Sequence, residues 1–253
     1  MPRAKARLAL GVLLVGALYT WSIVGLRAYP ATVWAGLPVF LRLFADMVPP
    51  NLAILPALVD PLVQTLQIAF VGTAQGAVLA VPLILLAARN VTRAPWLYLA
   101  ARGLLNLLRT IPDLLYAAVL VAAVGIGPFA GILALTIFSL AVIAKLTSES
   151  LEAIDPGPLE ALEAAGATRL TMVRFAVIPQ ILPVYLSYTL FVFEINIRVS
   201  FVLGLVGAGG IGQTLNTTLQ LFRYQSALTI ILVMLAIVIA IDTGSARLRQ
   251  VLT

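Results

Sequence analysis

Apolar residues run along this chain in stretches of about twenty, separated by short polar islands, which is the signature of helices that cross a bilayer. Roughly six such stretches stand out, over 8–26, 63–87, 110–126, 129–147, 182–204 and 227–246, each near the ~20 residues needed to span ~30 Å of hydrocarbon. The third is short, and Gly125-Ile126-Gly127-Pro128 separates it from the fourth, because proline cannot continue a helix ladder. The pattern predicts an all-α, polytopic membrane protein. Residues 30–60 hold five prolines, with a sixth at Pro61, and few charges, and read as an external interfacial segment. Residues 92–109 carry Arg102 and Arg109 on an apolar background and read as a helix lying along the inner face. The expected organisation is an N-terminal span with its external segment over 1–60, then a core domain over 61–253 whose cytoplasmic loop covers 149–180.

Composition sharpens this picture. Of the 253 residues, 62% are hydrophobic and 10% charged, against about 45–50% and 25% in soluble domains. The absence of cysteine and histidine removes disulfides, thiolate or imidazole metal sites and the common catalytic dyads. No metal or cofactor is expected. The net charge of +6 forms no basic face with interleaved aromatics, so nucleic acid is not the expected partner; membrane lipid is. With a cytoplasmic N-terminus, Arg3, Lys5, Arg7, Arg89, Arg93, Arg102, Arg109, Lys145, Arg169, Arg174, Arg247 and Arg249 fall inside or at the inner boundary, and only Arg27, Arg42 and Arg223 clearly outside. That asymmetry places both termini in the cytoplasm. Tyr29 and Trp34 suit the outer interface, Trp96 and Tyr98 the inner one. The basic N-terminus followed by an apolar run resembles a secretory signal, but its length and the lack of a small-x-small cleavage site favour a retained helix.

One polar island, residues 145–180, holds five of the ten acids: Glu149, Glu152, Asp155, Glu160 and Glu163. Asp155-Pro156-Gly157-Pro158 is a turn, with Pro158 suited to the first turn of a helix. Leu159 to Ala165 then uses strong helix formers, and Gly166 suits the position just past the helix end. Two turns of helix are unstable alone in water. The residues leave two readings open, a solvated connector and a helix that docks on a partner.

Glu160-Ala161-Leu162, then Gly166, then Ala176-Val177-Ile178-Pro179 resembles the E-A-A-x3-G-x9-I-x-L-P loop of permease subunits in ATP-driven, binding-protein-dependent importers, with Leu162 and Ala176 departing from the pattern. The resemblance implies that Glu160, Ala161, Leu162, Glu163, Ala165, Gly166 and Ala167 couple the permease to an ATPase subunit. It narrows further. Thr65 to Thr73, Leu104 to Pro112, Val124 to Gly131, Phe193-Glu194-Ile195-Asn196-Ile197-Arg198 and Val202 to Gln213 are similar to the phosphonate and phosphite importer permeases, from about residue 60 to the C-terminus. The methionine importer permeases share the glycine-rich stretch and the general plan. The fold implied is that of the type I importer permeases.

Glu194 and Arg198 lie at i, i+4 on one helix face inside the fifth span, with the acid first. Mutual neutralisation is the favoured reading, and direct attraction of an anion by Arg198 the alternative. With Asn196, and with Gly207, Gly209, Gly210 and Gly212, they form the expected pathway or gate. The glycines formally match G-x-G-x-x-G, but a long apolar helix precedes them where the dinucleotide fingerprint needs a strand. At membrane depth they break a helix and let backbones approach, or open amides to an anion at an external gate. Asp113 and Asp242 read as helix-end or inter-helix polar contacts.

No Walker A sequence is present, so the ATP chemistry belongs to another chain. The resemblance implies a permease subunit in a bacterial inner membrane, paired most simply with a second copy. Two ATPase subunits lie below it and a periplasmic or lipoprotein oxyanion-binding protein above it. Its cargo would be phosphonate, phosphite or a similar phosphorus oxyanion, with methionine or another small solute as the alternative. A secondary transporter would need inverted repeats, and an intramembrane enzyme a catalytic pair such as Lys145 with Ser148; neither pattern is favoured.

Overall fold

The computed structural model describes the backbone of residues 2–27, 29–92 and 94–252. Arg93, read above as an inner-boundary residue, lies outside the described residues, as do the side chains of Arg3, Arg169 and Arg249. Among the described residues every regular element is helical. The chain divides into two compact units, Met1–Pro49 and Pro50–Thr253.

The first unit contains α1 (Pro2–Leu26) and α2 (Pro30–Met47). Both present large apolar side chains outward: Leu13, Val15 and Trp21 on α1, Trp34, Val39 and Phe40 on α2. Such surface is stable only against lipid or protein. Residues 30–47, within the stretch read as an external interfacial segment, are a helix that accommodates Pro38 internally and starts at Pro30, where a missing N–H costs nothing.

The second unit opens with a short 3-10 segment, Leu52–Leu58, capped by the Asn51 side chain. The Asn51 amide N–H and carbonyl meet Gln225 and Thr229, which fixes the segment to the start of the C-terminal helix. Next come α3 (Val59–Leu86), α4 (Pro95–Thr110), α5 (Asp113–Val124), α6 (Pro128–Glu152), α7 (Gly157–Ala164), α8 (Arg169–Met172), α9 (Ile178–Leu205), α10 (Gly210–Gln220) and α11 (Tyr224–Leu252). Among the described residues, five segments are long and apolar enough to cross a membrane, or six if α4 and α5 form one broken span. The third expected crossing is therefore revised. α5 has 12 residues and rises only about 18 Å, and it meets α4 at an 85° bend. Pro112 makes the corner, since it restricts the residue before it and cannot donate to the α4 ladder.

α3 and α6 pack closely because Gly72 and Gly76 remove two side chains from the seam. A Cβ on Gly72 would lie 2.6 Å from the Leu135 Cβ, and one on Gly76 would collide with the Ser139 Cβ. This Gly-x3-Gly spacing is a common device for close approach of helices in a bilayer. One core cluster, with Ile68, Leu135, Ile197, Phe201 and Ile211, lies toward the glycine-rich end of the bundle. The other, with Ala80, Ile84, Leu105, Ile143, Leu151 and Val192, lies toward the end that carries α7.

Candidate functional site

α7 projects from the second unit, and none of its residues is buried. Its boundaries follow from short-range chemistry. The Asp155 carboxylate accepts the Gly157 N–H at 2.9 Å, closing the turn before the helix. Gly166 takes φ +75°; its N–H donates to Glu163 O and that of Ala167 to Leu162 O, at 2.9 and 3.0 Å. That pair of bonds is the Schellman termination, which requires the left-handed conformation that glycine adopts without strain. Glu160, Ala161, Glu163, Ala165 and Gly166 are exposed, and Leu162 and Ala167 partly so. Gln180, which no sequence pattern singled out, holds the base of the stub. Its Oε1 accepts the Asp155 N–H at 3.0 Å, and its Nε2 donates to Ala176 O at 2.9 Å.

Between the stub and α9, residues Val173–Val177 form one turn of π-helix, with the Ile178 N–H bonded to Val173 O. Pro179 and Pro183 remove two donors from the start of α9, and the ladder is widened just ahead of them.

At the same end of the bundle a set of charges joins three elements. Arg102 of α4 reaches Glu152 at 2.8 Å and Glu149 at 3.8 Å, both on α6. Its Nε donates to Ala87 O at the end of α3, and its guanidinium lies 5.3 Å from the Tyr98 ring centroid. Glu152 also accepts the Arg89 N–H at 2.9 Å, and Asn90 donates to Leu151 O. The Arg89 Nε donates to the Tyr98 hydroxyl at 2.8 Å, which raises the Arg89 pKa above its ordinary value. Lys145 pairs with Glu149 at 3.1 Å. The Ser148 hydroxyl turns to the Lys145 carbonyl oxygen, so the two side chains form no nucleophile–base pair. This ionic brace ties the α3–α4 turn and α4 to the last turns of α6, immediately before the stub.

Inside the bundle, Arg198 binds Glu194 at 3.1 Å, as the i, i+4 spacing predicts, and also Asp242 of α11 at 3.0 Å. The second partner completes the inter-helix role expected of Asp242. Arg198 is 42% exposed and Asp242 37%, whereas Glu194 is buried. Asn196 does not belong to this group. Its amide nitrogen donates to Thr73 Oγ1 and Ser139 Oγ, both at 2.7 Å, and it is fully buried among α3, α6 and α9. Two residues from Glu194 and Arg198 on a helix, it necessarily faces another direction, and its place is in the core rather than with the expected gate.

The glycine-rich stretch is a tight corner between α9 and α10. Gly207, Gly209 and Gly210 have φ of +93°, +85° and +76°. A Cβ on Gly212 would collide with Phe201 O, and one on Gly204 would lie 2.7 Å from Gly209 O. The amides of Gly210 and Ile211 are already bonded to Gln64 Oε1 and Thr65 Oγ1, at 2.7 and 2.8 Å. Of the two readings of these glycines, close packing describes the observed contacts, and these two amides are not open to an anion. Beside the corner lies a cleft of about 470 Å³ lined by Asp60, Gln64, Gln213, Thr214 and Thr217. Among the described residues no group of His, Cys, Asp or Glu is arranged to hold a metal ion.

The described residues thus form a bundle of long apolar helices from which one short acidic helix projects. Residues 80–252 match the family model described as binding-protein-dependent transport system inner membrane component, and the chain belongs to that family. It is 37% identical to the phosphite transport system permease protein PtxC of Stutzerimonas stutzeri, over 97% of this chain and 88% of that one. It is 38% identical to the phosphate-import permease protein PhnE of Mycolicibacterium smegmatis, over 97% of this chain and 46% of that longer protein. Among solved structures, the MetNI methionine ABC transporter in inward-facing conformations matches with a TM-score of 0.70 at 25% identity, over 80% of this chain and 99% of that one. The fold is that of the type I importer permeases. The ATPase of such importers is a separate subunit, and membership of the family implies a substrate-binding partner as well.

Proposed function

We propose that the chain forms the translocation pathway for phosphite, phosphonate or a similar small phosphorus oxyanion, and that α7 is its coupling helix. The observation that carries the cargo is identity of 37% to a phosphite permease over nearly the whole chain. The coupling role is supported by a short helix with no buried residue, closed at both ends by its own turn chemistry. A helix of 8 residues held in the open is well suited to seat in a partner.

In this reading both termini and α7 face the cytoplasm, in line with the distribution of Lys and Arg. Two permease copies enclose the pathway. Arg198 and Asp242, half-exposed on a membrane-spanning helix pair, then face protein or water instead of lipid. With Glu194 they line the gate, and the Gly207–Gly212 corner supports its outer end. Closure of the ATPase pair displaces α7, and the helices reorient to move access from one side to the other.

The test is reconstitution with the ATPase and binding protein in proteoliposomes. ATP-dependent uptake of phosphite or methylphosphonate is expected, and uptake that persists without the ATPase would overturn the reading. Gly166→Arg forces a long side chain onto a positive-φ position at the stub's tip, and it is expected to reduce co-purification of the ATPase. Capture at the wild-type level would remove α7 from the coupling role.

A further inference from the structure

The two carboxylates that hold Arg198 differ in kind. Glu194 sits one turn away on the same helix and is buried, so helix geometry fixes its distance. Asp242 arrives from α11, is half-exposed and meets Arg198 through Oδ2. Its other oxygen, Oδ1, is buried with no hydrogen-bond partner in the chain.

We propose that the Arg198 guanidinium is an exchange site for the transported oxyanion, and that Asp242 is its resident, displaceable counter-ion. The proposal rests on the cargo reading above. Asp242 meets the guanidinium through one carboxylate oxygen, Oδ2 on Nη1, and an oxygen of a tetrahedral phosphorus oxyanion can accept the same charge-assisted hydrogen bond. The place taken by the Asp242 carboxylate is therefore one that phosphite or phosphonate can take.

Competition from Asp242 makes the contact weak, and weakness suits a pathway, because an ion held strongly does not leave. It also gives the passing anion a mechanical consequence. While Asp242 is bound, α9 and α11 are joined by an ion pair; when the anion replaces it, that link is broken and α11 is free to shift relative to α9. Glu194 stays in place throughout and keeps Arg198 oriented and charged.

The experiment uses the permease–ATPase assembly in nanodiscs without its binding protein, with radiolabelled inorganic phosphate and phosphite as probes. Wild type is expected to bind either probe weakly. Asp242→Asn, which removes the competing charge and keeps the shape, is expected to raise affinity by about tenfold. Arg198→Gln is expected to abolish the gain in the double variant, and Asp242→Glu to keep the low wild-type affinity. Co-purification of the ATPase at wild-type stoichiometry reports that each variant is folded.

Affinity unchanged in Asp242→Asn, or a gain that survives Arg198→Gln, overturns the exchange site. The cargo reading fails separately. If the complete wild-type transporter takes up no phosphorus oxyanion while Asp242→Asn still gains Arg198-dependent phosphate affinity, the anion site stands and the cargo assignment falls. If uptake occurs and Asp242→Asn gains nothing, the reverse holds.

Discussion

Arg102 and Arg198 each sit between two carboxylates, and the settings could hardly differ more. Arg102 is 17% exposed, lies against Tyr98, and is held by Glu149, Glu152 and the Ala87 carbonyl. With Lys145, that group has two positive and two negative members in contact. Arg198 is 42% exposed, and its carboxylates come from two different helices. Partly buried charges stabilise a fold when they are paired and further hydrogen-bonded, and strain it when one is left over. The comparison separates a brace whose cation is largely buried against an aromatic ring from a cluster whose cation and second counter-ion are both half-exposed. Burial, rather than the presence of an Arg–carboxylate contact, distinguishes the two.

The sharpest way to break the comparison is to remove the braced cation. Arg102→Gln leaves Glu152 without its closest cation and the Ala87 carbonyl without its donor. Loss of one partner from a buried pair costs about 3–5 kcal/mol, and the partial exposure of the glutamates lowers that to roughly 2–3 kcal/mol. Unfolding of the purified protein in detergent, followed by intrinsic fluorescence, would show a clear fall in midpoint. A midpoint equal to wild type would mean that the brace is only a surface ion pair.

Removing one acid from each site is the next test. Glu152→Gln takes a charge from a balanced group and weakens its hydrogen bonds, with an expected loss of about 1.5–2 kcal/mol. Asp242→Asn removes a half-exposed charge, keeps the shape, and should stay within about 0.5 kcal/mol of wild type. The same unfolding measurement serves both variants, and equal losses would erase the distinction drawn between the sites.

Asn196 supplies a neutral reference. It joins three helices with two hydrogen bonds and no charge. Asn196→Ala is expected to cost about 1 kcal/mol, in the range of polar contacts between membrane helices, and to leave the phosphate affinity of the Asp242→Asn assembly unchanged. An affinity that fell with Asn196→Ala would put this residue back with the gate.

What could be read from the sequence follows the range of each interaction. The stub was legible because its determinants are local: Asp155-Pro156-Gly157-Pro158 makes the turn and Gly166 the stop, all within twelve residues. Glu194 with Arg198 was legible for the same reason, one helical turn apart. Asp242 is 44 residues from Arg198, and Glu152 is 50 from Arg102; no helical period reports which faces of distant helices meet. A helix turns Asn196 away from Glu194 and Arg198, but its partners Thr73 and Ser139 are 123 and 57 residues distant, which no helical period reports. The α4–α5 bend was half visible in Pro112. The Gly72-x3-Gly76 spacing was a usable signal for the α3–α6 seam, masked by the surrounding hydropathy. Gln180 carries no recognisable pattern, since a single glutamine at a helix start is common and its partner is the backbone of Asp155.

The smallest predicted effect tests how tightly the brace works as a unit. Lys145 pairs with Glu149 at i, i+4 with the base first, the weaker of the two orders, and Glu149 is 47% exposed. Alone, Lys145→Gln should cost no more than about 0.5 kcal/mol. Glu149 is nevertheless shared with Arg102. When Arg102 has already been replaced, Lys145 is the remaining cation in contact with that glutamate, and its removal should then cost more than it does in wild type. A double-mutant cycle on Arg102→Gln and Lys145→Gln is therefore expected to give an interaction energy of at least about 0.5 kcal/mol. An additive result would mean that Glu149 does not transmit anything between the two cations, and that the brace reduces to the contacts Arg102 makes with Glu152, Tyr98 and Ala87.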